Sequence, residues 1–324
     1  MLFARIAAVL VGLLVLTKAA DRFVLGAATI ARRLGVSAVV IGAVIVGFGT
    51  SAPELLVSGL AAWEGHADLG VGNIIGSNIA NLTLVLGIGA AIAPLSVATG
   101  VLRREAPAAV IAMGALALLV QGNLGRVEGI VLLLVFVGMM IGLLVLVRRE
   151  TRSRLAVETD EMLDRESDVD DDPSTPTPLR TEVLWVVVGL VGTIAGAQLL
   201  VWGATGIADR AGLSDGFVGL TLVAVGTSLP ELVTTAQAAR RGEHDLIVGN
   251  LLGSNLVNSL AVGGVVGVLA PGAPLEATLT GIGAGLMMGV GLVAVLFMRR
   301  KFRLTRGEGI ALVAGYAATV PLLA

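Results

Sequence analysis

Long apolar runs separated by short polar turns make up most of this 324-residue chain. A helix needs about 20 apolar residues to cross the hydrocarbon core of a bilayer. The pattern predicts an all-α integral membrane protein with ten transmembrane helices, five in each half. We expect the first run to be a retained helix, because it has a counterpart in the second half. The runs lie at about 2–30, 37–62, 69–93, 106–121 and 127–147, then at about 183–208, 214–239, 246–270, 277–298 and 308–323.

One long hydrophilic segment separates the two sets of runs. It begins with several arginines, continues through an acidic middle and ends in Pro and Thr residues. This composition is typical of a solvated connection without a packed core. We therefore predict a first transmembrane repeat at 1–147, a linker at 148–181 and a second transmembrane repeat at 182–324.

Two motifs occur once in each half, at a fixed offset of 177 residues. The sequence GTSAPEL at 49–55 returns as GTSLPEL at 226–232, and GNIIGSNIAN at 72–81 returns as GNLLGSNLVN at 249–258. Such self-similarity indicates an internal duplication. Because each half has an odd number of spans, the second half enters the membrane the opposite way up. The chain is thus predicted to contain two inverted five-helix repeats, a plan typical of secondary transporters.

The basic residues predict the orientation of these spans. If the N-terminus is outside, 17 of the 22 Lys and Arg residues fall in segments on the inner side. Short loops with an excess of Lys and Arg remain in the cytoplasm. We therefore expect both termini outside and the linker in the cytoplasm.

Composition supports the membrane assignment and excludes some functions. Hydrophobic residues make up 56% of the chain and charged residues 14%, against about 25% charged in soluble domains. The mean hydropathy is +0.93. The chain has no cysteine, which excludes disulfides and thiol chemistry. With a net charge of −2 and no concentrated basic unit, it is not expected to bind nucleic acid.

Glu54 and Glu231 lie inside runs that are otherwise apolar. A charged side chain at bilayer depth is costly, so both residues are predicted to be functional. Pro53 and Pro230 precede them, and proline breaks the helical hydrogen-bond ladder. Carbonyls freed at this depth need a partner, and a bound cation is a natural one.

The second motif adds amides and hydroxyls on one helix face, because its polar residues are spaced by four. They are Asn73, Ser77 and Asn81 in the first repeat and Asn250, Ser254 and Asn258 in the second. Oxygen donors alone suit hard cations such as Ca²⁺ or Na⁺.

Structural roles compete at several positions. The hydroxyls of Ser51 and Ser228 are equally compatible with bonds to their own backbone, and the glycines of the second motif with a helix-packing face. Lys18 and Asp21 are three residues apart in the first run, which favours mutual neutralisation. His66 and His244 lie in polar turns, so we interpret them as solvated loop residues.

The paired GTSxPE and GNxxGSNxxN motifs resemble the α-repeats of the sodium/calcium exchangers in the Ca²⁺/cation antiporter superfamily. The resemblance covers essentially the whole chain outside the linker. It implies a ten-helix antiporter of the cell membrane that moves Ca²⁺ against Na⁺ by alternating access at a midplane site. It implies no enzyme activity, no cofactor and no required protein partner; the partners are the two ions and the lipid bilayer. The implied ion ligands are Thr50, Ser51, Glu54, Ser77, Asn81, Thr227, Ser228, Glu231, Ser254 and the residue at the next ligand position, Asn258.

Asn258 departs from the family pattern, since many sodium/calcium exchangers carry Asp there. The site then has two formal negative charges, which one Ca²⁺ or two monovalent cations would balance. A third Na⁺ would leave net positive charge in a site of low dielectric. Our hypothesis is that ion coupling differs from the usual electrogenic form, with protons able to replace some Na⁺.

Two alternatives remain open. A H⁺/Ca²⁺ antiporter of the same superfamily would need a Glu that takes up and releases protons, although the GTSxPE form favours the Na⁺ branch. A cation channel is disfavoured, because two inverted repeats around a few buried ligands suit occlusion better than a continuous pore.

A linker of about thirty residues leaves no room for the large regulatory domains of animal members, so regulation by such domains is not expected.

Overall fold

The computed structural model of the protein describes residues 2–33, 41–122, 124–142, 145, 178–208 and 224–323. Nearly all of the predicted linker, residues 148–177, lies outside the described residues, as does the start of the run predicted at 214–239. The first helix after the linker begins at Leu179, just before the predicted boundary at residue 182.

The helices of the first half correspond to its five apolar runs. In chain order they are α1 (Leu2–Arg33), α2 (Gly42–Val46 and Gly47–Thr50), α3 (Ala52–Trp63), α4 (Ala67–Ile92), α5 (Thr99–Gly122) and α6 (126–142). The second run forms a helix that is broken at Ser51, so it contributes two helices, α2 before the break and α3 after it.

The second half repeats this order, again with a broken helix after the first long one. Its helices are α7 (Leu179–Ala208), α8 (Ala224–Thr227), α9 (Leu229–Arg241), α10 (His244–Leu269), α11 (Leu279–Lys301) and α12 (Arg306–Leu323).

Six of the helices in the described ranges are long and apolar enough to cross a membrane: α1, α4, α5, α7, α10 and α11. The two that carry the GNxxGSNxxN motif, α4 and α10, are the most enclosed, with 78% and 89% of the spanning stretch buried, against 24% for α1. The motif helices therefore form the centre of the protein, and α1 belongs to its periphery. The ten-span count and the inversion of the repeats stay predictions.

One group of helix ends meets beside a short β-ribbon. Strand β1 (Leu95–Ser96) pairs antiparallel with β2 (Arg303–Leu304), with Leu95 opposite Leu304. His244 starts α10 at the same end, and its Nδ1 lies 3.0 Å from Ser96 Oγ. The interpretation of His244 as a solvated loop residue was wrong, because the residue is half-buried in this contact.

A second group of helix ends is joined by polar contacts between loops. The backbone N–H of Glu276 donates to Asp68 Oδ1 at 2.9 Å, and that of Gly272 donates to Leu124 O at 3.0 Å. Among the described connections between helices, those of the first group alternate along the chain with those of the second. This is the arrangement that helices crossing a membrane up and down require.

Two charged residues of α1, Asp21 and Arg22, pair with residues on other helices. The Asp21 carboxylate accepts hydrogen bonds from Arg241 at the end of α9, at 2.5 and 3.0 Å. The sequence had suggested Lys18 as its partner. Arg22 contacts Glu182 of α7 at 3.4 Å and lies over the Trp185 ring, 5.0 Å from its centroid.

The glycines of the second motif differ in how closely they pack. A Cβ on Gly253 would lie 2.5 Å from backbone atoms of Ala43, so the glycine allows α10 to cross α2 at close range. A Cβ on Gly72 would meet only the flexible Leu279 side chain, at 3.5 Å. The helix-packing interpretation is thus supported for Gly253.

We expect Gly253→Ala to destabilise the protein by about 1–3 kcal/mol, because backbone atoms of α2 would have to move. Thermal unfolding in detergent measures the effect. Gly72→Ala is the matched control and should leave the unfolding temperature nearly unchanged. Equal unfolding temperatures for the two variants would contradict the close crossing.

Candidate ion-binding site

The chain leaves the helical conformation at the same motif residue in each half. Ser51 has φ −83° and ψ 7°, and Ser228 has φ −87° and ψ 6°. A proline follows in the first turn of the next helix, where its missing N–H is tolerated. The predicted helix break is therefore found in both halves with the same geometry.

Each break places a glutamate in the first turn of the next helix, Glu54 in α3 and Glu231 in α9. Both side chains are completely buried. A carboxylate at a helix N-terminus is favoured by the helix dipole, which offsets part of the cost of burial. The break thus gives each half one buried carboxylate.

Serines of one half hold the carboxylates of the other. Ser228 Oγ donates to Glu54 Oε1 at 3.3 Å, and Ser51 Oγ donates to Glu231 Oε1, also at 3.3 Å. The two bonds are equivalent, because the offset of 177 relates Ser51 to Ser228 and Glu54 to Glu231. Ser254 adds contacts that its counterpart Ser77 does not make among the described residues. Its Oγ lies 3.4 Å from Glu231 Oε1 in its own half and 3.2 Å from the Gly47 carbonyl in the other half.

A second pair of bonds crosses between the halves with the same symmetry. Thr50 Oγ1 donates to Asn250 Oδ1, and Thr227 Oγ1 to Asn73 Oδ1, both at 3.3 Å. The Asn73 amide also donates to Ser58 Oγ at 3.0 Å. Asn73 and Asn250 therefore tie each broken helix to the motif helix of the opposite half.

The motif helices are locally widened where their last asparagines lie. Asn81 begins a π-helical turn at Asn81–Val85, and Asn258 lies in the turn Val257–Val262. Such turns occur frequently at functional sites. The Asn81 amide donates to Asn255 Oδ1 at 3.0 Å and so links the two motif helices directly.

Several completely buried oxygens at these positions have no hydrogen-bond partner among the described residues. They are Glu54 Oε2, Glu231 Oε2, Ser77 Oγ, Asn81 Oδ1 and Asn258 Oδ1. Buried polar atoms in native proteins nearly always have a partner, so this set needs an explanation. A cation is the natural one, because every atom in it is a donor of electron pairs.

The charge available for a cation is that of two carboxylates. Within the described ranges, no group of three or more His, Cys, Asp or Glu residues comes together. The amide of Asn258 adds an oxygen but no charge.

All ten residues that the resemblance implied as ligands are buried. Hydrogen bonds of eight of them run between the halves: Thr50, Ser51, Glu54, Asn81, Thr227, Ser228, Glu231 and Ser254. Ser254 also contacts Glu231 within its own half. Ser77 and Asn258 contribute oxygens without a partner among the described residues.

Sequence reasoning missed Asn255, which contacts the Asn81 side chain. It lies off the face defined by Asn250, Ser254 and Asn258. The one available signal was its identity with Asn78 at the fixed offset.

His66 is exposed at the end of the turn before α4, as expected.

The fold and the buried site together define the class of protein to which this chain belongs. The protein is a helical membrane protein whose two similar halves join in a buried site of oxygen donors, which is the construction of a secondary transporter.

Comparison with known proteins identifies the family. The family model described as sodium/calcium exchanger protein matches residues 5–145 and again 181–323. The chain is 42% identical to the putative antiporter CaxA of Alkalimonas amylolytica, over 92% of this chain and 91% of that protein. It is 28% identical to the sodium/calcium exchanger MaX1 of Methanosarcina acetivorans, over 97% of each chain. A solved structure of the sodium-calcium exchanger NCX_Mj, soaked with 2.5 mM Na⁺ and 10 mM Sr²⁺, superposes with a TM-score of 0.82 at 30% identity, covering 99% of both chains.

The chain therefore belongs to the sodium/calcium exchanger family. This is a family of membrane cation antiporters rather than of enzymes. The predictions of the family and of an all-α integral membrane protein are confirmed.

We expect Ser51→Ala and Ser228→Ala to weaken cation binding by similar factors, about tenfold each, because each removes a hydrogen bond to a buried carboxylate. Equilibrium Ca²⁺ binding to the purified protein measures the effect. Thr193→Val is the control, since the buried Thr193 hydroxyl donates to Gly189 of its own helix at 2.7 Å. An unchanged affinity in both serine variants would contradict the cross-repeat bonds.

Proposed function

We propose that this protein exchanges Ca²⁺ for Na⁺ across the cell membrane by alternating access at a midplane site. The site consists of the ten buried residues implied by the resemblance. The protein requires no cofactor and no protein partner, and it catalyses no chemical reaction. Both termini lie outside and the linker lies in the cytoplasm.

The observation that carries this proposal is the incomplete hydrogen bonding of the two buried carboxylates. Each has one oxygen bonded to a serine of the other half and a second oxygen without a partner among the described residues. A buried charge has to be paired, and either one Ca²⁺ or two Na⁺ neutralise two carboxylates. The two ions therefore compete for the same charge, and this competition makes transport an exchange.

The contacts between helix ends support the proposed orientation. The end that contains the β-ribbon also contains basic residues in the loops that were predicted to be cytoplasmic. They include Arg241 at the end of α9 and Arg303 in β2. An excess of basic residues at one end favours the cytoplasmic side for that end.

The direct test is Ca²⁺ uptake into proteoliposomes loaded with Na⁺, compared with vesicles that have only a pH gradient. Na⁺-loaded vesicles should take up Ca²⁺, and Glu54→Gln should abolish uptake, because it removes one of the two charges that bind the ion. Glu64→Gln is the matched control, since Glu64 is exposed in the turn after α3.

Uptake driven by the pH gradient alone would assign the protein to H⁺/Ca²⁺ exchange. Uptake that needs no counter-ion gradient and far exceeds transporter rates would indicate a channel. Either result would overturn Na⁺ coupling.

The charge count gives a second test, of electrogenicity. If one net charge moved per cycle, 100 mV would be worth about 2.3 kcal/mol, or about fiftyfold in Ca²⁺ accumulation at equilibrium. We expect accumulation by the unaltered protein to change little with an imposed potential, because two carboxylates exchange one Ca²⁺ for two monovalent cations. Asn258→Asp adds a third negative charge and should make Ca²⁺ accumulation depend on the membrane potential. A fiftyfold dependence in the unaltered protein would show that the charge argument is wrong.

A further inference from the structure

We propose that Asn255 is a positioning residue that turns the Asn81 amide so that its oxygen, and not its NH₂ group, faces the bound cation. The inference rests on the proposed function, since it assigns Asn81 Oδ1 as an ion ligand. Asn255 is completely buried in α10, directly after Ser254. It is not among the residues that the motif resemblance implied as ligands.

The orientation follows from which atoms can accept a hydrogen bond. Asn255 Nδ2 lies 3.3 Å from the backbone oxygen of Asn78 and 3.7 Å from Met113 Sδ. A carbonyl oxygen and a thioether sulfur accept hydrogen bonds and donate none. The NH₂ group of Asn255 therefore has to face them, and its Oδ1 points the other way.

The Asn81 amide is oriented in the same way by its contact with Asn255. Asn255 Oδ1 lies 3.0 Å from Asn81 Nδ2 and accepts its hydrogen bond. With its NH₂ group held in this way, Asn81 has its own Oδ1 on the opposite side of the amide. That oxygen is buried and without a partner among the described residues. A backbone carbonyl in α4 thus fixes, through Asn255, which end of the Asn81 amide is available to an ion.

The orientation matters because an amide is bifunctional. Its oxygen is a ligand for a hard cation, whereas its NH₂ group carries partial positive charge and repels one. Groups that orient ligands in this way are worth about 10- to 100-fold in metal affinity. Without Asn255, Asn81 is free to present either end.

The other half of the protein supplies a natural comparison. The offset of 177 relates Asn81 to Asn258 and Asn255 to Asn78, yet Asn258 Nδ2 and Asn78 Oδ1 both lack a partner among the described residues. The Asn78 amide instead donates to Ser259 Oγ at 3.0 Å and to Met287 Sδ at 3.3 Å. Asn78 has the same residue type, burial and motif position, but it does not orient its counterpart ligand.

The test is a double-mutant cycle in the full-length protein, with equilibrium ⁴⁵Ca²⁺ binding as the readout. Asn255→Leu keeps the approximate shape and removes the amide, so we expect Ca²⁺ affinity to fall about 10- to 100-fold. Asn81→Asp gives the ligand two equivalent oxygens, so that either orientation presents an oxygen. Asn255→Leu should therefore change affinity less than about threefold in the Asn81→Asp background.

A merely structural role for Asn255 predicts a different result, namely the same loss of affinity in both backgrounds. That result, or an unchanged affinity in Asn255→Leu, would overturn the proposal. Asn78→Leu is the matched control and should change affinity less than about threefold. If Asn255→Leu is not recovered folded, Asn255→Ala, which cannot clash, replaces it under the same criteria.

The cycle is also independent of the coupling ion. Failure of the unaltered protein to bind Ca²⁺ would reject the proposed function itself. Ca²⁺ binding by the unaltered protein together with equal losses in the two backgrounds would reject only the role of Asn255.

Discussion

Glu54 and Glu231 are completely buried in a helical core that lipid surrounds, so their charge has to be compensated by groups that the protein or a bound ion brings to them. The protein itself provides hydrogen bonds to one oxygen of each carboxylate. Each carboxylate receives a serine hydroxyl from the opposite half, and neither half completes its own site. The bonds that prepare the site are therefore also bonds between the two halves.

The helix breaks make this exchange of partners possible. In an uninterrupted helix, a serine in position 51 or 228 has its hydroxyl beside the carbonyl one turn back, as Thr193 does with Gly189. Because the chain leaves the helical conformation at these two residues, their hydroxyls instead reach the opposite carboxylate. The proline that follows confines the break to one residue, since it is well accommodated in the first turn of the next helix.

The sequence was sufficient to predict features that depend on local chemistry and on repetition. The break at the motif, the burial of both glutamates and the shared face of Asn73, Ser77 and Asn81 follow from residue type and spacing. Contacts between distant helices were not predictable in this way. Asp21 was assigned to its neighbour Lys18, whereas its partner Arg241 lies on another helix, and Asn255 was overlooked because no periodicity places it near Asn81. The π-helical turns were also not predicted, because residue spacing does not distinguish a widened turn from an ordinary helical one.

The repeats agree in sequence at these positions but not in every bond, and the difference lies at the asparagine pairs. Asn81 is bonded to Asn255, while the atoms that would form the matching bond of Asn258 with Asn78 are both unpartnered in the described part of the chain. Because the same residues occur in both halves, the cause is their surroundings rather than their chemistry. A transporter made of inverted repeats in identical conformations would present the same path to both sides of the membrane. The proposed alternating access therefore requires the repeats to differ, and the asparagine pairs are a place in the core of this protein where they do.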